Sequence, residues 1–217
     1  MADSDVTKYP GKDIDVTWDE RLCIHIGECG KSEGDLFIGG RNPWCQPDQT
    51  NVENTIDVVE RCPSGALVYE CKNSDQSEAA SDENTVHLVY NGPLYVKGKL
   101  TIKHAPDDMP GTKFRAALCR CGESENKPFC DNSHLKAGFE DTGAIGTRSE
   151  TAQQQGGELA INPAKNGPLL LTGNVSIISS SGRVAWQGSN AALCRCGHSK
   201  NKPFCDGSHT AAGFTSE

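Results

Sequence analysis

The chain has 217 residues, of which 35% are hydrophobic and 6% aromatic, and it carries a net charge of −8. That composition argues against one large core and for small units stabilised by metal centres, because small domains bury too little surface to stand securely alone. The acidic balance argues against nucleic acid or an anionic membrane as the main partner, since both attract basic surfaces.

No apolar run approaches the roughly 18 residues needed to span a bilayer. The opening segment MADSDVTKYPGKD is polar and lacks the basic and apolar regions of a signal peptide. Eleven cysteines in such a chain are read as metal ligands in a reducing compartment, and the odd count fits disulfides poorly. The expected location is the cytoplasm.

The first unit is expected over residues 12–71. Residues 13–17 read as a short strand. Residues 51–61 read as a helix whose core face carries Val52, Ile56 and Val59 at helical spacing. Residues 66–69 read as a further strand. Two cysteine segments stand out, Cys23-Ile24-His25-Ile26-Gly27-Glu28-Cys29 and Cys62-Pro63-Ser64-Gly65-Ala66-Leu67. A cysteine loop with a distant Cys-Pro is the frame of a one-cluster ferredoxin, but Ile26 stands where a ferredoxin has its second cysteine. Residues 72–84 (KNSDQSEAASDEN) have no aliphatic residue larger than alanine and read as a linker.

The rest of the chain repeats itself. Asn91-Gly92-Pro93-Leu94 recurs as Asn166-Gly167-Pro168-Leu169, and Cys119, His134 and Phe139 recur at the same offset as Cys194, His209 and Phe214. A constant offset over this span indicates duplication of a whole structural unit, expected over 85–140 and 160–217 with a polar connector at 140–160. Each unit opens with alternating apolar residues, Leu94, Val96, Leu100 and Ile102 in the first copy, which is the period of a half-buried strand. Turns at Met109-Pro110-Gly111 and Ser181-Gly182 precede return strands that end at Ala-Ala-Leu-Cys.

Each copy then gathers three cysteines and one histidine. Cys119 and Cys121 can reach one iron, and Cys130 and His134 a second; Cys194, Cys196, Cys205 and His209 repeat the set. Thiolate sulfur suits iron and zinc. With bridging sulfides the set forms a [2Fe–2S] centre; the alternative is a Cys3His zinc site, which the C-x-C spacing disfavours.

The second copy, C-R-C-G-H-S-K-N-K-P-F-C-D-G-S-H, resembles the CDGSH iron–sulfur (NEET) family position by position, and the first departs once, with Asn132 in place of glycine. The resemblance covers roughly half the chain and implies two [2Fe–2S] clusters on those eight ligands. Ser124, Ser199, Asp131 and Asp206 are read either as orienting the ligands through hydrogen bonds or as turn residues alone. Single-repeat members of that family form dimers with interleaved strands. The tandem copies are therefore expected to build an intramolecular pseudo-dimer, leaving the chain a monomer.

The N-terminal unit resembles the divergent mono-cluster 4Fe–4S ferredoxin family through its C-x-H-x-G-x-C loop, Pro43-Trp44 and CPSGAL. That resemblance implies Cys23, Cys29 and Cys62 as ligands. His25 is read either as the fourth ligand of a [4Fe–4S] cluster or as a loop histidine beside a [3Fe–4S] cluster. Cys45 and Cys71 are left over as structural or free thiols.

The fold class is thus α+β, with a small ferredoxin-like domain and two β-rich repeats. The functional expectation is an electron carrier rather than an enzyme, since no nucleotide loop or catalytic triad is present. The alternatives are cluster storage, sensing or transfer, and a zinc-stabilised interaction module. The expected partners are redox proteins or an apo-acceptor of clusters.

Overall fold

The computed structural model describes residues 5–146 and 156–216. Strands β1 (Val6–Tyr9), β2 (Ile14–Asp19) and β3 (Leu67–Cys71) form a small antiparallel sheet in the order β1-β2-β3. β1 lies ahead of the span expected from residue 12. Helix α1 (Val52–Arg61) packs on this sheet and starts at Asn51, whose side chain accepts from Asn54 N at 2.7 Å, a standard N-cap. Ile56 and Val59 are buried as expected; Val58 and Thr55 join them, while Val52 in the first turn is only half-buried.

The repeats share one seven-stranded sheet. The first contributes β4 (Thr85–Leu88), β5 (Leu94–Lys97), β6 (Lys99–Ile102) and β7 (Arg115–Leu118). The second contributes β8 (Glu158–Pro163), β9 (Leu169–Ile178) and β10 (Val184–Leu193). The single alternating stretch 94–102 is split into β5 and β6 at Gly98, whereas the equivalent β9 runs unbroken.

Pairing within each repeat is antiparallel, β4 with β5 and β8 with β9. Pairing between repeats is parallel, β4 with β9 and β6 with β8. The register is reciprocal: Thr85 faces Ser176 while Ala160 faces Thr101, and Val86 faces Ile177 while Ile161 faces Ile102. Each pair maps onto the other at the 75-residue offset of the sequence repeat.

The expectation of separate small cores is not met. One cluster of buried side chains runs from Leu22 and Ala66 through Val86, Leu94 and Leu118 to Leu169, Ile177 and Leu193. Interleaving places apolar faces of both repeats against each other, so the duplicated unit buries what a single copy would leave in water. The N-terminal domain keeps a second cluster of its own around Val16, Leu36, Val59 and Leu67.

The expected linker is built into this architecture. Glu78 pairs with Arg115 at 2.8 Å, with both side chains buried. Asn84, 2% exposed, donates to Gly157 O at 3.1 Å and Asn174 O at 2.9 Å and accepts from Lys99 N at 3.0 Å. Polarity in residues 72–84 therefore marks buried hydrogen bonding as well as solvation. Residues 147–155 of the expected connector lie outside the described residues.

Asn84→Ala leaves two carbonyls and one amide without this partner. It is expected to destabilise the chain by about 2–3 kcal/mol, read as a lower urea midpoint at unchanged slope.

Candidate iron–sulfur sites

Each repeated loop hangs from the end of a return strand. Cys119 follows β7, and its amide donates to Pro128 O at 2.9 Å, while Cys130 N donates to Ala117 O at 2.8 Å. The second loop repeats both bonds, Cys194 N to Pro203 O at 2.7 Å and Cys205 N to Ala192 O at 2.8 Å. A short helix follows in each, α2 (Ser133–Lys136) and α3 (Ser208–Ala211), and carries the histidine. The preceding residues, Asn132 and Gly207, are left-handed at φ 70° and 86°, a conformation that glycine and, less readily, asparagine adopt.

The donors stand in pairs. Cys119 and Cys121 sulfurs are 3.6 Å apart, and Cys130 Sγ is 3.5 Å from His134 Nδ1. The second copy gives 3.7 Å for Cys194 and Cys196 and 3.4 Å for Cys205 and His209. Two donors on one tetrahedral metal at ordinary bond lengths stand roughly 3.5 to 3.8 Å apart. Each set is thus built from two close pairs, Cys–Cys and Cys–His.

Backbone amides point at the sulfurs: Glu123 N to Cys121 and Asn132 N to Cys130 at 3.4 Å, His198 N to Cys196 at 3.5 Å and Gly207 N to Cys205 at 3.4 Å. Such donors favour thiolate. A hydrogen bond from Cys121 holds the Cys119 thiol below its ordinary value. Burial, aided by nearby Arg120, lowers the His134 pKa and favours the neutral ring that binds metal.

Ser124 Oγ donates to Phe129 O at 2.6 Å, and Ser199 Oγ to Phe204 O at 2.6 Å. Asp131 accepts from Glu125 N and Ser133 N, and Asp206 from Lys200 N and Ser208 N, all within 3.0 Å. Burial opposes ionisation of Asp131, but these bonds outweigh it and lower its pKa; bonds from Ser208 and Lys200 lower that of Asp206. These four residues thus shape the loop through its backbone.

Two residues repeated in the sequence and left unread there prove central. Arg120 and Arg195, the middle residues of the C-x-C segments, are buried. Arg120 Nε donates to Gly92 O at 2.6 Å, and Arg195 Nε to Gly167 O at 3.1 Å. Each guanidinium also lies over an aromatic ring, Phe139 at 5.2 Å and Phe214 at 5.4 Å. Arg120 pairs with Asp141 at 2.5 Å, where the second copy has Arg195 bonded to Ser216 at 2.6 Å. The arginines latch each loop to its own Asn-Gly-Pro turn. The signal was present in their exact repetition at the 75-residue offset.

The loops meet back to back, with Cys121 and Cys196 forming an isolated antiparallel bridge. Gly122 (φ 92°) and Gly197 (φ 82°) lie against the opposing backbone; an added Cβ would sit 2.7 Å from Cys196 O and 2.5 Å from Cys121 O.

In the N-terminal domain, Cys23, His25, Cys29 and Cys62 line one apolar cavity of about 440 Å³ with Trp18 and Trp44. Cys62 is the C-cap of α1, and Cys23 ends a short 3-10 turn anchored by buried Leu22. Burial raises the Cys29 thiol, and nearby Cys23 and Cys62 add to it. His25 Nδ1 is 3.6 Å from Cys23 Sγ, a separation that fits a hydrogen bond and equally fits two donors on one metal, as in the Cys–His pairs of the repeats. Cys45, 1% exposed, belongs to the domain core, and burial pushes its thiol up to about 12. Cys71 ends β3. His104 and His198 are exposed, and His87 Nε2 is buried without a partner among the described residues.

Trp18 Nε1 is likewise buried and has no partner among the described residues. A Trp that lines a thiol-rich cavity with an orphaned donor fits an acceptor held there, such as the sulfur of an iron–sulfur group.

Two family models match the chain. The divergent 4Fe-4S mono-cluster model matches residues 9–72. The iron-binding zinc finger CDGSH type model matches residues 91–135 and 166–210. The uncharacterised protein YjdI of Escherichia coli K12 is 39% identical over 72 residues, which cover 33% of this chain and 95% of that protein. YjdI of Escherichia coli O157:H7 matches to the same extent. No solved structure matches.

Gly122→Ala is expected to force the two loops apart, lowering both the melting temperature and the iron retained per chain, whereas Gly138→Ala, with open space around it, perturbs only its own turn. Trp18→Phe is expected to destabilise the iron-loaded chain by about 1–2 kcal/mol more than the metal-free chain, beyond the packing loss common to both. An equal effect in both states would assign the indole to packing alone.

Proposed function

Because the chain belongs to the iron–sulfur families defined by the divergent 4Fe-4S mono-cluster domain and the CDGSH repeat, we propose that it is a three-centre electron carrier and not an enzyme. The observation that carries this reading is the contiguity of the three donor sets. Cys130 of the first repeat packs against Ile24 of the N-terminal cysteine loop, with Tyr95 alongside. The Cys121 and Cys196 backbones bridge the first repeat to the second.

Iron–sulfur centres supply reversible one-electron chemistry; the chain's part is to hold them, exclude water and donate hydrogen bonds to sulfur. The two-plus-two donor pairing supports a [2Fe–2S] centre in each repeat on Cys119, Cys121, Cys130 and His134, and on Cys194, Cys196, Cys205 and His209. A mononuclear zinc site calls for four donors around one point. The reciprocal register of β4 with β9 and of β8 with β6 supports an intramolecular pseudo-dimer in a monomeric chain.

In the N-terminal cavity, Cys23, Cys29 and Cys62 provide three thiolates. His25 completes a [4Fe–4S] set if its exposed ring turns from Cys23 toward the cavity; held as a donor to Cys23, it leaves a [3Fe–4S] set. Among the described residues no helix is long and apolar enough to cross a membrane, and free thiols suit a reducing, cytoplasmic setting. The partners of this reading are redox proteins; the acidic charge disfavours nucleic acid.

A second reading, donation of a cluster to an apo-acceptor, is favoured by one observation: Cys205 and His209 are both partly exposed.

Anaerobic counting of iron and sulfide, followed by EPR of oxidised and reduced protein, tests the reading. Reversible reduction with iron retained supports the carrier; a colourless, iron-free protein ends both readings. His134→Cys and His209→Cys each replace a neutral donor by an anionic one and are expected to lower the reduction potential. Protons compete with metal for imidazole as the pH falls, so both substitutions are expected to slow bleaching at pH 5–6.

A further inference from the structure

We propose that the two Cys3His sites are unequal because the N-terminal domain caps the first, leaving the second as the site that the chain presents to its surroundings. This rests on the iron–sulfur reading above. The loops themselves have the same internal wiring, down to the 2.6 Å serine bond and the paired amides on the aspartate. Their exposure nevertheless differs. Cys130 and His134 are 4% and 8% exposed, whereas Cys205 and His209 are only partly buried.

The difference lies in what covers the first loop. Ile24, between Cys23 and His25, packs against Cys130 and Ala117. Asn132 Nδ2 donates to Ile24 O at 2.8 Å, and Asn126 Nδ2 to Arg21 O at 2.6 Å. Arg115 extends the seam by donating to Cys62 O at 3.0 Å and Leu67 O at 3.1 Å. At the same offset the second copy has Gly207, Asn201 and Asn190. Gly207 has no side chain to donate, and among the described residues the Asn201 side chain makes no hydrogen bond to another segment. Asn190 is exposed, and among the described residues its side chain bonds only its neighbour Ser189.

Asn132 thereby acquires a reason. It is the one departure of the first copy from the C-D-G-S-H pattern, and it stands at φ 70°, where glycine is the easier residue. The side chain that glycine lacks is the one that ties the cap to the loop. Asn132 is a positioning residue: it acts on the Cys130–His134 pair through Ile24.

The test uses the full-length chain, loaded anaerobically and counted for iron and sulfide. Excess EDTA is added, and loss of the [2Fe–2S] signal is followed by visible circular dichroism. The wild-type chain is expected to lose half of that signal about tenfold faster than the other half, the factor that two ordinary hydrogen bonds across the cap provide. Asn132→Gly, which suits the local backbone and keeps the loop amide, is expected to speed the slow half severalfold and leave the fast half unchanged. Gly207→Asn is expected to leave both halves as in the wild type. Equal rates in a fully loaded wild-type chain, or an Asn132→Gly chain with an unaltered slow half or with both halves accelerated alike, would overturn the inference while leaving the iron–sulfur reading in place. Absence of iron from the chain would overturn both.

Discussion

The exchange of strands β4 and β8 is the constraint on which the rest of the molecule depends. Each of these strands lies between its own repeat, where it pairs antiparallel, and the other repeat, where it pairs parallel. Neither copy can complete its sheet without the other. The shared sheet makes the main core continuous and brings the ends of β7 and β10 together. There the two cysteine loops meet through Cys121 and Cys196. The donor geometry is a consequence: the Leu118–Phe129 and Leu193–Phe204 bridges close each loop at its base, and a short helix then carries the histidine.

Buried arginines form the second layer of organisation, and they divide the labour. Arg120 and Arg195 act within a repeat, latching each loop to its own turn. Arg115 acts between domains, with its guanidinium on Val59, Cys62 and Leu67 carbonyls and on Glu78. A guanidinium suits this work because its planar fork reaches several carbonyls at once and remains charged when buried. Burying such a charge is costly unless it is paired; Asp141 pairs with Arg120 and Glu78 with Arg115, while Arg195 is held by the Gly167 and Ala164 carbonyls and the Ser216 hydroxyl. Close backbone contact reinforces the seam: an added Cβ on Gly65 would lie 2.5 Å from Arg115 O, and one on Gly111 would lie 2.1 Å from Gly65 O. The Cys-Pro-Ser-Gly loop that carries Cys62 is therefore pressed against the first repeat.

Much of the candidate site was legible in the chain itself. C-x-C and a Cys–His pair four residues apart are local patterns, and short loops bring such donors together whatever the surrounding fold. The helix and the strands around residues 13–17, 66–69 and 94–102 followed from periodicity and turn chemistry for the same reason. Asn84, Arg115 and Glu78 escaped notice because their partners lie far along the chain, and a polar residue that anchors a sheet looks in sequence like one that faces water. The low apolar content points away from a large core, yet composition does not record that the two repeats pool their apolar faces.

The sequence by itself determined the donor types, their spacing, the duplication at an offset of 75 residues and the extra unit at the N-terminus, because all of these are local or periodic. Only the tertiary structure decided which strands cross between copies, which arginine serves which seam, and that Ile24 covers Cys130 while Cys205 stays partly open. Those depend on contacts between segments remote in the chain. Two nearly identical motifs therefore came to occupy different environments, and the visible traces in the sequence were Asn132 and Arg115 where the second copy has Gly207 and Asn190.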